Sequence, residues 1–199
     1  MKFNWGNTSD EQLVRKMAKG DHSAFDELYR RYARLMVNYF YRMLWKDEGK
    51  AQDFMQDLFL KLIQNPNSFD STRSFKTWFY SIANNMCKNE YKKAQVRSNT
   101  KLGIEDFEQK PVQEQSALEQ THFTHFKELF TEELEQMDEN HRAVVVLRHL
   151  EGLSVKEIAE QLSINEGTVK SRIFYATKSL AQKLAAFNFR EPVGGIDID

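Results

Sequence analysis

Apolar residues recur at helical spacing through most of the first hundred positions, and short polar breaks separate the runs. The spacing predicts a first helix over residues 10–19, with Ser9 or Thr8 as N-cap and Gly20 closing it. Ser23-Ala24-Phe25-Asp26 reads as a capping box that opens a longer second helix. Phe25, Leu28, Tyr29, Tyr32, Leu35, Met36, Tyr39 and Phe40 line its inner side, with Arg30, Arg31 and Arg34 opposite. After a break at 47–49, a third helix over 50–64 buries Phe54, Met55, Leu58, Phe59 and Leu62. Asp53 and Asp57 sit one turn apart outside that stripe. Asn65-Pro66-Asn67-Ser68 is a loop. A fourth helix over 74–95 is expected to pack through Phe75, Phe79, Ile82, Ala83 and Met86. Trp78, Asn85, Asn89, Tyr91, Lys92 and Lys93 are left partly or wholly outside.

Periodicity is lost over 97–115, where Gly103, Pro111 and many Glu and Gln residues read as a linker. A Glu-rich helix follows over 117–136, then a turn at 137–140 and a short helix through Val144–Leu147 that Gly152 ends. Ser154 caps a helix carrying Val155, Ile158, Ala159 and Leu162. A turn at 163–167 leads to a last helix, capped by Thr168 and reaching about 187. The expected fold is all-α: two small helical bundles, 8–97 and 116–187, joined by a flexible linker over 98–115. A helix-turn-helix lies in the second bundle, and 188–199 form a tail.

Composition adds little until charge is mapped. Only 3 Pro and 8 Gly interrupt 199 residues, which suits helices. Cys87 is the one cysteine, so no intramolecular disulfide and no cysteine-based zinc site can form. The longest apolar run, Ala143–Leu147, is far short of the roughly 20 residues of a membrane span, and a cytoplasmic location is expected. The net charge of −1 hides three blocks. Residues 71–97 hold six basic side chains against Glu90, a net +5. Residues 98–140 are at −8 and residues 141–191 at +3. On a flexible tether the acidic block is expected to mask the basic surface of 71–97 in the free chain.

Two constellations carry chemistry. Ser154 through Leu162, the turn Ser163–Gly167, and Thr168-Val169-Lys170-Ser171-Arg172 have the cap, tight turn and basic second helix of a DNA-reading helix-turn-helix. Val169, Ile173, Ala176 and Leu180 face the core. Lys170, Ser171, Phe174 and Tyr175 point outward, and Arg172 lies at the boundary. Such residues can reach phosphates or base edges. The second constellation, Ser74 through Asn85, mixes aromatic, basic and amide side chains, the chemistry of single-strand binding, with Trp78 left partly or wholly outside the packing face. Asp53 and Asp57 lack a histidine partner, and His122 and His125 lack further ligands, so no metal site, cofactor or catalytic centre is expected. No phosphate-cradling loop or nucleophile elbow occurs.

In this order, the constellations resemble the extracytoplasmic-function sigma factors of the sigma-70 family over about residues 8–187. Gly20-Asp21-His22-Ser23-Ala24-Phe25 is similar to the opening of the family's region 2, and Ala51 through Lys61 to its polymerase-docking helix. Phe75 through Asn85 resembles the segment that opens and reads the −10 element, and Gly152 through Phe174 resembles region 4, which reads the −35 element. The resemblance implies that Asp53, Gln56 and Asp57 dock on core RNA polymerase. It places Asn85, Lys88 and Asn89 at −10 DNA, with the loop 65–74 receiving an extruded base, and Trp78, Lys92 and Lys93 join them from the chemistry above. It places Lys170, Ser171, Arg172, Phe174 and Tyr175 at the −35 duplex. Core polymerase, promoter DNA and an anti-sigma factor are the implied partners. Asp138 stands where the family often has proline, which implies a looser turn, and Tyr175 and Thr177 stand where many members carry arginine. The competing readings are a helix-turn-helix regulator that acts without polymerase, and a helical adaptor that binds proteins only.

Overall fold

Capping side chains set where each helix starts. The computed structural model describes residue 5, residues 7–100 (side chains to 97) and residues 129–184. The expected linker, the expected helix over 117–128, His122, His125 and the segment 185–199 lie outside these. Helix α1 (Asp10–Met17) opens on a reciprocal box between Ser9 and Gln12, each bond 3.3 Å, and Gly20 turns the chain at φ +90°. Helix α2 (His22–Met43) is capped by Asp21, not by Ser23 as expected. The Asp21 carboxylate accepts from Ser23 N at 3.1 Å, Ser23 Oγ at 2.7 Å and Ala24 N at 3.3 Å, so Ser23 falls inside the first turn. Asp47 does the same for α3 (Glu48–Gln64), accepting from Lys50 N at 2.9 Å, and helix therefore begins two residues before the expected start. The loop after it contains a 3₁₀ turn, Pro66–Ser68, and α4 runs Phe75–Thr100, past its expected end.

These four helices close over one aromatic core. Phe75 and Phe79 stack at 5.0 Å, Phe79 meets the edge of Phe59 at 5.3 Å, and Tyr39 meets Tyr80 edge-on at 5.3 Å. Leu28, Met36, Phe40 and Leu58 are fully buried around them. Glu27 sits among these groups at 7% exposure and is held by two guanidiniums. Arg30 reaches it at 2.6 and 2.8 Å and Arg31 at 2.7 Å, while Arg31 also binds Asp10 at 2.7 Å and the carbonyls of Thr8 and Trp5. The arginine that the pattern put on an outer face thus pins the chain ahead of α1. The Arg30 guanidinium, followed by Arg31, lowers the Glu27 pKa from 4.5 to about 2. A lowered carboxylate contributes stability that is present above pH 4.5 and is lost as pH falls toward 2. Glu27→Gln is therefore expected to cost about 2 kcal/mol at neutral pH and to flatten the acid limb of stability in that window. Urea titrations at several pH values check this; an unchanged acid limb would remove Glu27 from the balance.

In the second bundle, α5 (129–136) leads through a turn to α6 (Glu139–Val145), a π-helical turn (Val146–Leu150), α7 (Val155–Leu162) and α8 (Glu166–Leu184). Asp138 caps α6, accepting from Asn140 N at 3.1 Å and His141 N at 3.2 Å, so an Asx cap closes the turn that the missing proline was expected to loosen. Val144, Val146 and Leu147 are fully buried.

The bundles share a core. Ala143, Val144, Leu147, Leu153 and Ile158 pack in one cluster with the side chains of α1–α4. α7 lies along α4, and on α4 Thr77, Tyr80, Asn84 and Cys87 are buried in addition to the expected Phe75, Phe79 and Ala83. Buried Arg142 joins the halves, donating to the carbonyls of Glu135 (2.6 Å), Met137 (2.9 Å) and Met43 (3.4 Å). Tyr91 donates to the same Met43 carbonyl. Among the described residues there is no strand, and no helix is long and apolar enough to cross a membrane.

Candidate nucleic-acid interface

Helix α3 buries Ala51, Met55, Leu58, Phe59 and Leu62, and the same 3.6-residue period turns Asp53, Gln56 and Asp57 to solvent. Leu60 continues that exposed row at 51% exposure, and Ile63 lies beyond it at 49%. Large apolar side chains beside carboxylates on an exposed helix make a face suited to protein contact. Sequence reasoning passed over Leu60 and Ile63, which only their failure to fit the buried stripe could have flagged.

Along α4, Asn85, Asn89, Lys92 and Lys93 are exposed on the outer side. Glu90, the one acid of this stretch, is buried and neutralised by Lys50 at 3.2 Å and Arg97 at 2.7 Å, so the charge exposed along α4 is wholly basic. Trp78 is half-buried, its ring against Phe69 of the loop 65–74 at 5.1 Å and against Phe75 at 5.9 Å. Asp70 shapes that loop as an Asx turn, accepting from Thr72 N at 3.0 Å and Thr72 Oγ1 at 2.8 Å. Lys88 is half-buried and turns from the exposed set toward the second bundle.

The helix-turn-helix is built from caps. Ser154 N donates to Glu157 at 2.8 Å and Glu157 N to Ser154 Oγ at 3.2 Å, and the Ser154 backbone N–H, followed by its side chain, holds the Glu157 carboxyl below its ordinary pKa. Ser163 takes the left-handed conformation at φ +54° and ends α7. Asn165 Oδ1 then accepts from Thr168 N at 2.7 Å, so Asn165 caps α8 and the expected cap, Thr168, lies in the first turn. Asparagine competes better than threonine for the cap. On α8, Val169, Ala176 and Leu180 are buried and Ile173 half-buried, as the period required. Lys170, Ser171, Phe174 and Tyr175 are exposed, the two rings meeting edge-on at 5.4 Å and about 60% exposed, 61% and 62%. Ser171 Oγ donates to Thr168 O at 3.0 Å, which leaves its lone pairs for a partner.

Arg172 departs from this outward set. It lines a crevice of about 70 Å³ with Lys88, Asn84, Tyr91 and Met43 of the first bundle and Asn140 and Ile164 of the second. Lys88 and Arg172, one basic residue from each of the two expected DNA-facing sets, thus meet at the junction. The described residues hold no cluster of His, Cys, Asp or Glu that could bind a metal.

The chain's sequence matches the sigma-70 region 2 family over residues 28–97 and the sigma-70 region 4 family over residues 127–180. It is 31% identical over 183 residues to the ECF RNA polymerase sigma-E factor of Escherichia coli, covering 88% of this chain and 94% of the relative. The Haemophilus influenzae sigma-E factor is 33% identical over 190 residues, covering 88% and 95%. The structure is similar in fold to CnrH in complex with the cytosolic domain of CnrY (TM-score 0.66, 23% identity, 90% of this chain and 99% of the other). It is also similar to the sigma factor RpoE in complex with the anti-sigma factor NepR from Bartonella quintana (0.64, 22%, 82% and 98%). With two sigma-70 regions in order on one helical chain, and relatives matched nearly end to end, the chain belongs to the extracytoplasmic-function sigma factors of the sigma-70 family, which direct RNA polymerase to promoters.

Proposed function

We propose that three exposed faces divide this work. The acidic–apolar row on α3 (Asp53, Gln56, Asp57, with Leu60 and Ile63) docks on core polymerase. The outer side of α4 (Trp78, Asn85, Asn89, Lys92, Lys93, with Lys88) takes the opened −10 strand, and Trp78 offers its ring to a base. Lys170, Ser171, Arg172, Phe174 and Tyr175 on α8 meet the −35 duplex. The division corresponds to units of about 8–97 and 116–187, with 98–115 as linker and 188–199 as tail. The observation that carries the reading is the separation of chemistry by helix: carboxylates with exposed leucine and isoleucine on α3, cations with the half-buried Trp78 ring on α4, and a cation with exposed rings on α8. A protein-only adaptor would have no use for the cationic kind of surface.

The chain then works as a non-enzymatic factor in the cytoplasm, lending core polymerase a promoter specificity that the core lacks. An anti-sigma factor is a further partner, its function being to cover one of these faces. The test is gel filtration of the labelled chain with core polymerase: a one-to-one complex that carries promoter DNA supports the reading. Binding of duplex DNA as a dimer, with no complex with core, would return it to an ordinary helix-turn-helix regulator.

A further inference from the structure

Beside the apolar packing of Leu153 and Ile158, the first ten residues or so after the π turn make their polar contacts with the first bundle through oxygen atoms. Glu151, its side chain 6% exposed, accepts from Arg42 at 3.3 Å and from the Tyr80 hydroxyl, while its backbone carbonyl accepts from Lys76 Nζ at 2.7 Å. Thr77 Oγ1 donates to Glu157 at 3.4 Å, and Arg73 pairs with Glu160. Every partner on the first bundle is a donor: Arg42, Arg73, Lys76, Thr77 and Tyr80. A donor strip matched by a row of carboxylates has the chemistry that also matches a row of phosphates.

The arrangement cannot be the one that reads a promoter. Lys88 and Arg172, one from each DNA-facing set, line one small crevice. The −10 and −35 elements are by name 25 base pairs apart, roughly 85 Å of duplex at 3.4 Å per pair. The bundles must part before both can be engaged. The row Asp53, Gln56 and Asp57 stays exposed throughout, so polymerase can take hold of the chain while it is still closed.

We propose that residues 151–160 are a built-in phosphate mimic: in the free chain their carboxylates occupy a strip of the first bundle that binds the nucleic-acid backbone once the bundles part. The open state rests on the initiation-factor reading; the closed state does not. Exchange of carboxylates for phosphates leaves the strip's cations matched in both states, so neither state strands a charge and the switch is close to balanced. The carboxylates assigned here differ from the acidic block 98–140, most of which lies outside the described residues.

The test uses the full chain labelled for energy transfer at Lys61→Cys and Lys178→Cys, both exposed sites. Cys87, the one native cysteine, is replaced by Ala so that only the two introduced thiols carry label when the bundles part. Glu151→Gln is expected to lower transfer and to tighten binding of an oligothymidylate by roughly tenfold at low salt, the gain shrinking as salt rises. Lys76→Gln added to it should take back part of that gain. The reciprocal pair Arg42→Glu with Glu151→Arg should restore transfer that Glu151→Arg alone abolishes, which separates a broken latch from a misfolded chain. Unchanged transfer in Glu151→Gln and Glu151→Arg would overturn the closed state. Lower transfer without tighter oligothymidylate binding would overturn the phosphate strip. Core-polymerase binding of the unaltered chain is measured alongside: its absence would sink the initiation-factor reading and leave the latch standing.

Discussion

Asp53→Lys combined with Asp57→Lys is expected to weaken binding to core polymerase by roughly tenfold or more while leaving helix content and unfolding midpoint unchanged. Both carboxylates are exposed on the outer side of α3. Neither contributes to the core formed by Met55, Leu58, Phe59 and Leu62 on the other side of that helix. Reversing two charges on a docking face sets like charge against whatever basic surface receives it, which costs more than deletion would. Circular dichroism in a urea series checks the fold, and a fluorescence competition against the unaltered chain measures the affinity. Replacing Leu60 with Ser should weaken binding again, since its exposed apolar surface lies in the same row. Core affinity untouched by all three changes would move the docking face off α3.

The second large effect is expected on α8. Lys170 is exposed, and the acid it pairs with, Glu166, is 4.0 Å away on the same helix, so its charge is available to a phosphate. Lys170→Ala should weaken −35 binding about equally for every sequence and flatten the salt dependence by about one unit of slope. Arg172 is half-buried at the crevice in the closed chain, and once the bundles part its planar guanidinium is free to make a directed contact with a base edge. Arg172→Ala should cost roughly 1–3 kcal/mol on preferred promoters and relax the preference at one position. A panel of −35 variants bound by the holoenzyme at two salt concentrations separates the two patterns. If Arg172→Ala weakened all variants equally, that residue would be a phosphate contact, and base reading would pass to the exposed pair Phe174 and Tyr175.

What the sequence made legible was local. Helical period identified most inward residues of α2, α3 and α8, although Tyr29 and Leu35, expected on the inner side of α2, are exposed at 41% and 42%. Hydroxyl or carboxylate caps set most helix starts to within two residues. Where caps were misassigned, a stronger competitor stood nearby: Asp21 ahead of Ser23, Asn165 ahead of Thr168. The exposed residues on α3 and α8 also followed from period alone, since each of these helices buries one face. α4 does not. It is covered by the first bundle on one side and by α7 on another, so Tyr80, Asn84 and Cys87 are buried at positions a one-face reading leaves out. Periodicity carries no information about a partner that arrives from about 70 residues away. The same holds for Arg142 and Glu27, which are charged residues buried because other groups satisfy them: backbone carbonyls for one, two guanidiniums for the other. Lys88 and Arg172 were legible as basic groups near DNA-facing surfaces, but their meeting at one crevice was not.

If this chain gives core RNA polymerase a promoter address, the direct measurement is transcription by core polymerase with and without the chain. The template is a library of promoter-length DNA, with start sites mapped by sequencing. Starts are expected at defined positions, only when the chain is present, downstream of paired elements that Lys170 and Arg172 variants shift or weaken. Starts scattered without a shared upstream sequence, or a pattern the same with and without the chain, would contradict that role.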